Sequence, residues 1–197
     1  DVDRVPDVRE HLPECLLTYR CAFIKAHYPM SFMTALLTHT YPNRKKFTVI
    51  LREAKQMGIT ILPPDINRSF YEFSLAPRAI RTGLMVVSGL GEKAYAEIER
   101  VRKGGDFNDL LDLIRRTDSR LINNRVLANL ARAGALDEFD LKRSQLLSMI
   151  EDQADFARKD GASPSLFDGQ EDLEGLPALD VPDIPEMSES DIIRNEI

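Results

Sequence analysis

Residues 86 to 98 read VVSGLGEKAYAEI, which sets two glycines one residue apart, Gly89 and Gly91, where an amphipathic helix should begin. Glycine is a poor helix former, so the pair serves the turn and not the helix. At least one of the two positions is expected to take a positive φ, and a side chain there would hold another backbone at a distance. Such a turn leaves the first N–H groups of the next helix without internal partners. The helix dipole reinforces them, and the result is a small anion site that fits a phosphate diester. Ser88, Gly89, Leu90 and Gly91 form the turn, and Lys93 adds a positive charge. Leu90 is expected to point inward, with Ala94, Ile98 and Val101 making the buried face. Taken alone, Gly-x-Gly between helices also fits an ordinary capped turn, so the surroundings decide.

Upstream, Leu17, Cys21 and Ile24 recur at helical spacing from Glu14 to Ala26, over which Arg20 reads as a solvated neighbour of a buried stripe. Tyr28-Pro29 stops that helix and starts another carrying Phe32, Met33, Leu36 and Leu37. A third helix runs from about Asn43 to Met57, with Phe47, Ile50, Leu51, Ala54 and Met57 on one face and Gly58 as a left-handed cap. ITILPPDIN then reads as a short strand, and SFYEFSL alternates as a half-buried strand would, with a boundary near residue 76. Short helices follow: from Glu92, from about Asn108 to Arg116, from about Leu121 to Ala133 ended by Gly134, and from about Lys142 to Arg158. After Gly161 the pattern dissolves into a Pro-, Gly-, Ser- and acid-rich stretch that reads as a linker.

Charge is unevenly spread. The net −6 divides into +2 over residues 1–75, +4 over 76–135 and −12 over 136–197. The acidic tail repels nucleic acid, so any phosphate contact belongs to the basic middle. No apolar run is long enough for a transmembrane helix, nothing reads as a secretory signal, and the chain has the look of a cut fragment; no membrane partner and a cytoplasmic setting are expected. Cys15 and Cys21 lack partners at metal-ligand spacing and read as reduced thiols. No acidic pair in a strand context is placed to hold two Mg²⁺, so no catalytic and no metal residues are assigned.

Other candidates have two readings. Lys25 and His27 either contact DNA or a nucleotide or belong to a solvated face. Arg44, Lys45 and Lys46 open a helix where the dipole disfavours cations, as a phosphate patch or as a tolerated cluster. Arg115, Arg116, Arg120 and Arg125 flank the second helical pair and are within reach of phosphates. The RAGALDE turn around Gly134 reads as a degenerate second hairpin, poor for anions, with Leu127, Leu130 and Leu136 in the core. Leu166 and Phe167 in SPSLFDG either dock into a groove on another protein or pack back on their own domain.

The glycine turn resembles the helix-hairpin-helix module, which grips duplex DNA through phosphates without reading bases. The likeness extends further. LTYRCAFIKAHYPMSFMTALLT, MGITILPPDINRS, IRTGLMVVSGLGEKAYAEIERVRKGGDFNDLLDLIRRTD, LINNRVLANLARAGALDEF and SLFDG occur in the order found in the alpha subunit of bacterial DNA polymerase III, the C-family replicative polymerase. The resemblance covers roughly residues 16–168. It implies a mainly α chain: the end of a fingers domain over residues 1–76, with short strands near 59–76; a tandem helix-hairpin-helix domain over 77–160; and an acidic, largely unstructured linker over 161–197 toward an OB-fold domain. It further implies DNA-directed DNA synthesis by the parent protein, DNA contacts at Ser88, Gly89, Leu90, Gly91, Lys93 and Arg125, and a nucleotide or DNA contact at Lys25 and His27. Leu166 and Phe167 correspond to a motif for the sliding clamp, with Ser163 where the family usually has Gln. The family's catalytic aspartates and their Mg²⁺ belong to a palm domain expected before residue 1, so the fragment alone is expected to be inactive and to need no cofactor. Primer-template duplex, sliding clamp and other replicase subunits are the implied partners. An error-prone paralogue and a non-catalytic hairpin scaffold that binds protein are the alternatives.

Overall fold

In the computed structural model, which describes residues 8–159, 182 and 185–187, proline and glycine set the limits of the first helices. Helix α1 spans Val8–His27. Pro29 opens α2 (Pro29–Thr40), where its fixed φ suits the first turn and its missing N–H costs nothing. Asn43 caps α3 (Arg44–Gln56), its side-chain oxygen accepting the Lys46 N–H at 3.2 Å. Gly58, at φ +74°, ends α3; its N–H reaches Lys55 O and the Ile59 N–H reaches Ala54 O, both at 3.0 Å, the paired bonds of a Schellman cap.

The described residues form two compact units: one up to Ile61 together with Leu75–Ile80, the other Leu62–Ser74 together with residues from Arg81 onward. In the first, Met33 and Leu37 of α2 and Phe47 and Ala54 of α3 are buried, and Tyr41 meets the Phe47 ring edge-on at 5.4 Å. The stripe expected to be buried on α1 is not: Leu17 is 63% and Ile24 43% exposed, and Cys21 is exposed too. Helical spacing shows that the residues share a face, but not that another element covers it.

Three short strands, β1 (Thr60–Leu62), β2 (Ser74–Ala76) and β3 (Ala79–Arg81), pair in the order β1-β3-β2. Pro77 and Arg78 form the two-residue β2–β3 turn, with Arg78 at φ +59°, and the expected limit near 76 falls in this hairpin. The strand expected over 69–75 shrinks to its last two residues plus Ala76. Ser69 folds back, its hydroxyl donating to Thr82 O at 2.7 Å, while the carbonyls of Phe70 and Tyr71 accept from Leu84 and Met85, each at 2.8 Å. Those carbonyls are therefore unavailable to a ladder. Phe73 is buried but Leu75 is exposed, so the alternation fails.

The second unit is helical: a 3-10 turn at Leu84–Val86, then α4 (Glu92–Arg102), α5 (Leu110–Arg116), α6 (Asn124–Arg132) and α7 (Arg143–Lys159). Ile98, Leu113, Leu127, Leu130, Leu136 and Leu146 are fully buried at its centre, each worth about 1.5–3 kcal/mol relative to exposure. Helix α6 starts three residues later than its periodicity suggests, because Asn123 caps it by accepting the Val126 N–H at 3.1 Å while the Leu121 and Ile122 N–H groups turn back to Asp118 O. The described residues are thus mainly α with one small sheet. The expected linker over 161–197 lies outside the described residues, apart from four isolated positions.

Candidate nucleic-acid interface

The turn from Ser88 to Gly91 stands at the surface with its one apolar residue driven inward. Leu90 is 4% exposed, whereas Ser88, Gly89, Gly91, Glu92 and Lys93 are all exposed. Burying Leu90 anchors the turn on the core of Ala94, Ile98 and Val101. Gly89 takes φ +82°, which an L-residue adopts only at a cost. Gly91 is the N-cap of α4 and offers no side-chain oxygen to the helix, so the first N–H groups of α4 have no internal partner by helix geometry. Within the turn, the Leu90 N–H is bonded to Val87 O at 3.1 Å. A Cβ added at Gly91 would meet nothing within 4 Å, so open space lies in front of these amides. Bare amides, the positive end of α4 and the exposed ammonium of Lys93 favour an anion; Glu92 in the same helical turn opposes it.

Helix α6 lies against this turn. The Asn129 side chain donates Nδ2–H to Ser88 O at 2.7 Å, and its Oδ1 accepts from Arg132 Nη1 at 3.3 Å. Arg125 sits one helical turn before Asn129, on the same face of α6, and is exposed. The fold therefore groups Ser88, Gly89, Gly91, Lys93 and Arg125 on neighbouring elements. Asn129 and Arg132 are functional candidates that sequence reasoning missed; Asn129 is 41 residues from Ser88, and no local pattern joins them.

Glu97 braces α4 from below. It is 8% exposed, accepts two bonds from Arg100 at 2.8 and 2.7 Å, and accepts the Asp118 N–H at 3.0 Å. The Arg100 guanidinium holds its carboxyl below the usual carboxylate range, aided by the Asp118 N–H, against the opposing effect of burial. Arg116 is committed to structure as well: it donates to Val101 O, Gly105 O, Asp106 O and Asp112, and lies 5.0 Å over the Phe107 ring. Its expected reach toward phosphates gives way to capping α4. Arg115 and Arg120 are exposed.

Around Gly134 the picture inverts. Gly134 is at φ +77° and buried; its N–H bonds Ala131 O at 3.1 Å and the Ala135 N–H bonds Leu130 O at 2.9 Å. Arg143 closes over the turn, bonding Asp137 at 3.0 and 2.7 Å and Arg132 O at 3.4 Å. Leu127, Leu130 and Leu136 are buried there.

In the first unit, Lys25 is paired with Glu53 of α3, and His27 is exposed with its ring 4.2 Å from that of Phe23. Leu166 and Phe167 lie outside the described residues. Among the described residues no group of three or more His, Cys, Asp or Glu is placed to hold a metal ion, and no helix is long and apolar enough to cross a membrane.

A family model described as helix-hairpin-helix motif matches residues 58–146. The chain is also similar to DNA polymerase III subunit alpha of Thermus aquaticus, 41% identical over 137 residues, covering 69% of this chain and 11% of that protein. The same subunit of Campylobacter jejuni is 37% identical over 167 residues, and that of Escherichia coli strain K12 is 36% identical over 163 residues. These two matches cover 80% and 82% of this chain, and 14% of each relative.

Proposed function

Since the chain belongs with the alpha subunits of bacterial DNA polymerase III, as a segment spanning 11–14% of these relatives, we propose that it serves DNA replication by holding primer-template duplex. The grip is on phosphates, independent of sequence. The observation that carries this reading is the turn at Ser88–Gly91: exposed, kept open by two glycines, and flanked by Lys93 and Arg125 within the basic third of the chain. One strand's phosphate accepts from the first N–H groups of α4, Lys93 neutralises a charge beside it, and Arg125 reaches a neighbouring phosphate.

In the parent protein this contact keeps the duplex in place between nucleotide additions, while the first unit supports closure over template and incoming nucleotide. Synthesis itself needs residues outside this chain, and the chain alone does not polymerise. Leu166 and Phe167 dock into the sliding clamp and keep the enzyme near its track. The test of the duplex reading is a titration of labelled duplex at low and moderate salt with wild type and with Lys93→Glu. Binding at low salt that weakens with added salt and with the substitution is expected; no binding at low salt, or none of that dependence on Lys93, would remove the reading.

A further inference from the structure

The Asn129 carboxamide lies between an arginine and a main-chain carbonyl, and this fixes which way it points. With Oδ1 on Arg132 and Nδ2 on Ser88 O, exchanging the two ends would face oxygen with oxygen and an amide N–H with a guanidinium. We propose that Asn129 is a positioning residue for the phosphate-facing turn, setting the direction in which the Gly89 amide points; this rests on the duplex reading above.

Peptide geometry sets this direction. In a trans peptide the carbonyl of one residue and the N–H of the next point in opposite directions. Holding Ser88 O against α6 therefore turns the Gly89 N–H away from α6, toward the exposed side of the turn. Gly89 needs the constraint more than other residues would. With no Cβ and φ +82°, it has the widest choice of backbone conformations to lose, and its surroundings offer little to limit them. The nearest atom to a Cβ placed there is Asn129 Nδ2 itself, at 3.9 Å. A turn ordered before binding loses less freedom when the phosphate arrives. The same bond sets the turn's place beside Arg125, one helical turn away on α6, so that amides and guanidinium address one strand together.

Asn129 carries no charge, so replacing it removes no ion pair with phosphate, and amide exchange in the duplex-free protein separates positioning from direct contact. The 197-residue chain is titrated with fluorescent duplex at several salt concentrations as wild type, Asn129→Leu, Asn129→Asp and Lys93→Ala, with the melting temperature and the amide exchange rate of Leu90 measured alongside. Asn129→Leu has a similar shape without the donor. Asn129→Asp keeps the pairing with Arg132 and serves as the second variant should the first fail to fold. The expected result is binding weakened about tenfold in Asn129→Leu and more in Asn129→Asp, a melting temperature near wild type, and faster exchange at Leu90. The slope of log affinity against log salt stays at its wild-type value in Asn129→Leu, whereas Lys93→Ala lowers it by about 1. Wild-type affinity in both Asn129 variants, with Lys93→Ala impaired, would overturn the positioning role and leave the duplex reading standing. A salt slope lowered in Asn129→Leu as in Lys93→Ala would overturn it as well. If wild type itself fails to bind duplex, the duplex reading falls and this role falls with it.

Discussion

The chain builds two glycine turns beside α6, and they are opposites. At the first turn both glycines are exposed, Gly91 faces open space, the buried residue is the leucine between them, and no side chain caps the amides of the following helix. At Gly134 the glycine is itself buried, under the Arg143 guanidinium and the Asp137 carboxylate, and the main chain around it is spoken for, down to Ala135 O, which accepts from Ile66 N–H at 2.8 Å. Gly89 and Gly134 both take a positive φ for the same steric reason. What separates a turn fit for a ligand from a turn that completes a core is therefore what stands in front of it.

Reversing charge at the open turn is expected to have the largest effect. Lys93→Glu removes one cation and adds an anion where a phosphate would sit, and should weaken duplex binding about a hundredfold at low salt in a fluorescence titration. A Gly134→Ala change should instead act on stability. Its methyl would run into Arg143 and Asp137 at a left-handed position, costing about 2 kcal/mol by chemical denaturation, with duplex affinity of the folded protein unchanged. Affinity lost at Gly134 without loss of stability would break the contrast between the turns.

Glu97 sharpens the comparison from beneath the open turn. Glu97→Ala should cost about 0.5–1.5 kcal/mol, because the part-buried bond from the Asp118 N–H to its carboxylate is lost. Since the folded carboxyl titrates below its ordinary range, its contribution is full at neutral pH and is lost as pH falls through the folded value. The stability gap between wild type and Glu97→Ala, followed by denaturation against pH, should accordingly narrow in acid. Gly91→Ala, with nothing within 4 Å of the new methyl, should leave the melting temperature near wild type while weakening duplex binding a few fold, as the methyl crowds the bare amides. The smallest signal is expected from the acidic tail: a peptide of residues 160–172 should bind a bacterial sliding clamp weakly in a calorimetric titration, and Phe167→Ala should abolish it.

Much of the open turn was legible in the sequence because its causes are local. A positive φ at one of the two glycines, Leu90 inward, and Ala94, Ile98 and Val101 on one face all follow from a window of a dozen residues. The caps at Asn43 and Gly58 were likewise written locally. What stayed hidden depends on distant partners. Leu17 and Ile24 share a helical face that stays uncovered, Phe70 and Tyr71 lend their carbonyls to Leu84 and Met85 and lose their strand, and the hairpin closed by Pro77 and Arg78 went unread. Asn129 has no signature at all until α6 is laid beside Ser88. Arg116 shows the converse, a cation in a promising place whose donors go to main-chain carbonyls.

The central claim is that duplex meets the protein at the bare amides after Ser88. Amide chemical shifts followed during a titration with short duplex test it residue by residue. The account predicts the largest changes at Gly89, Gly91, Glu92 and Lys93, with Gly134 and Ala135 nearly still; the reverse pattern, or changes confined to residues outside the open turn, would contradict it.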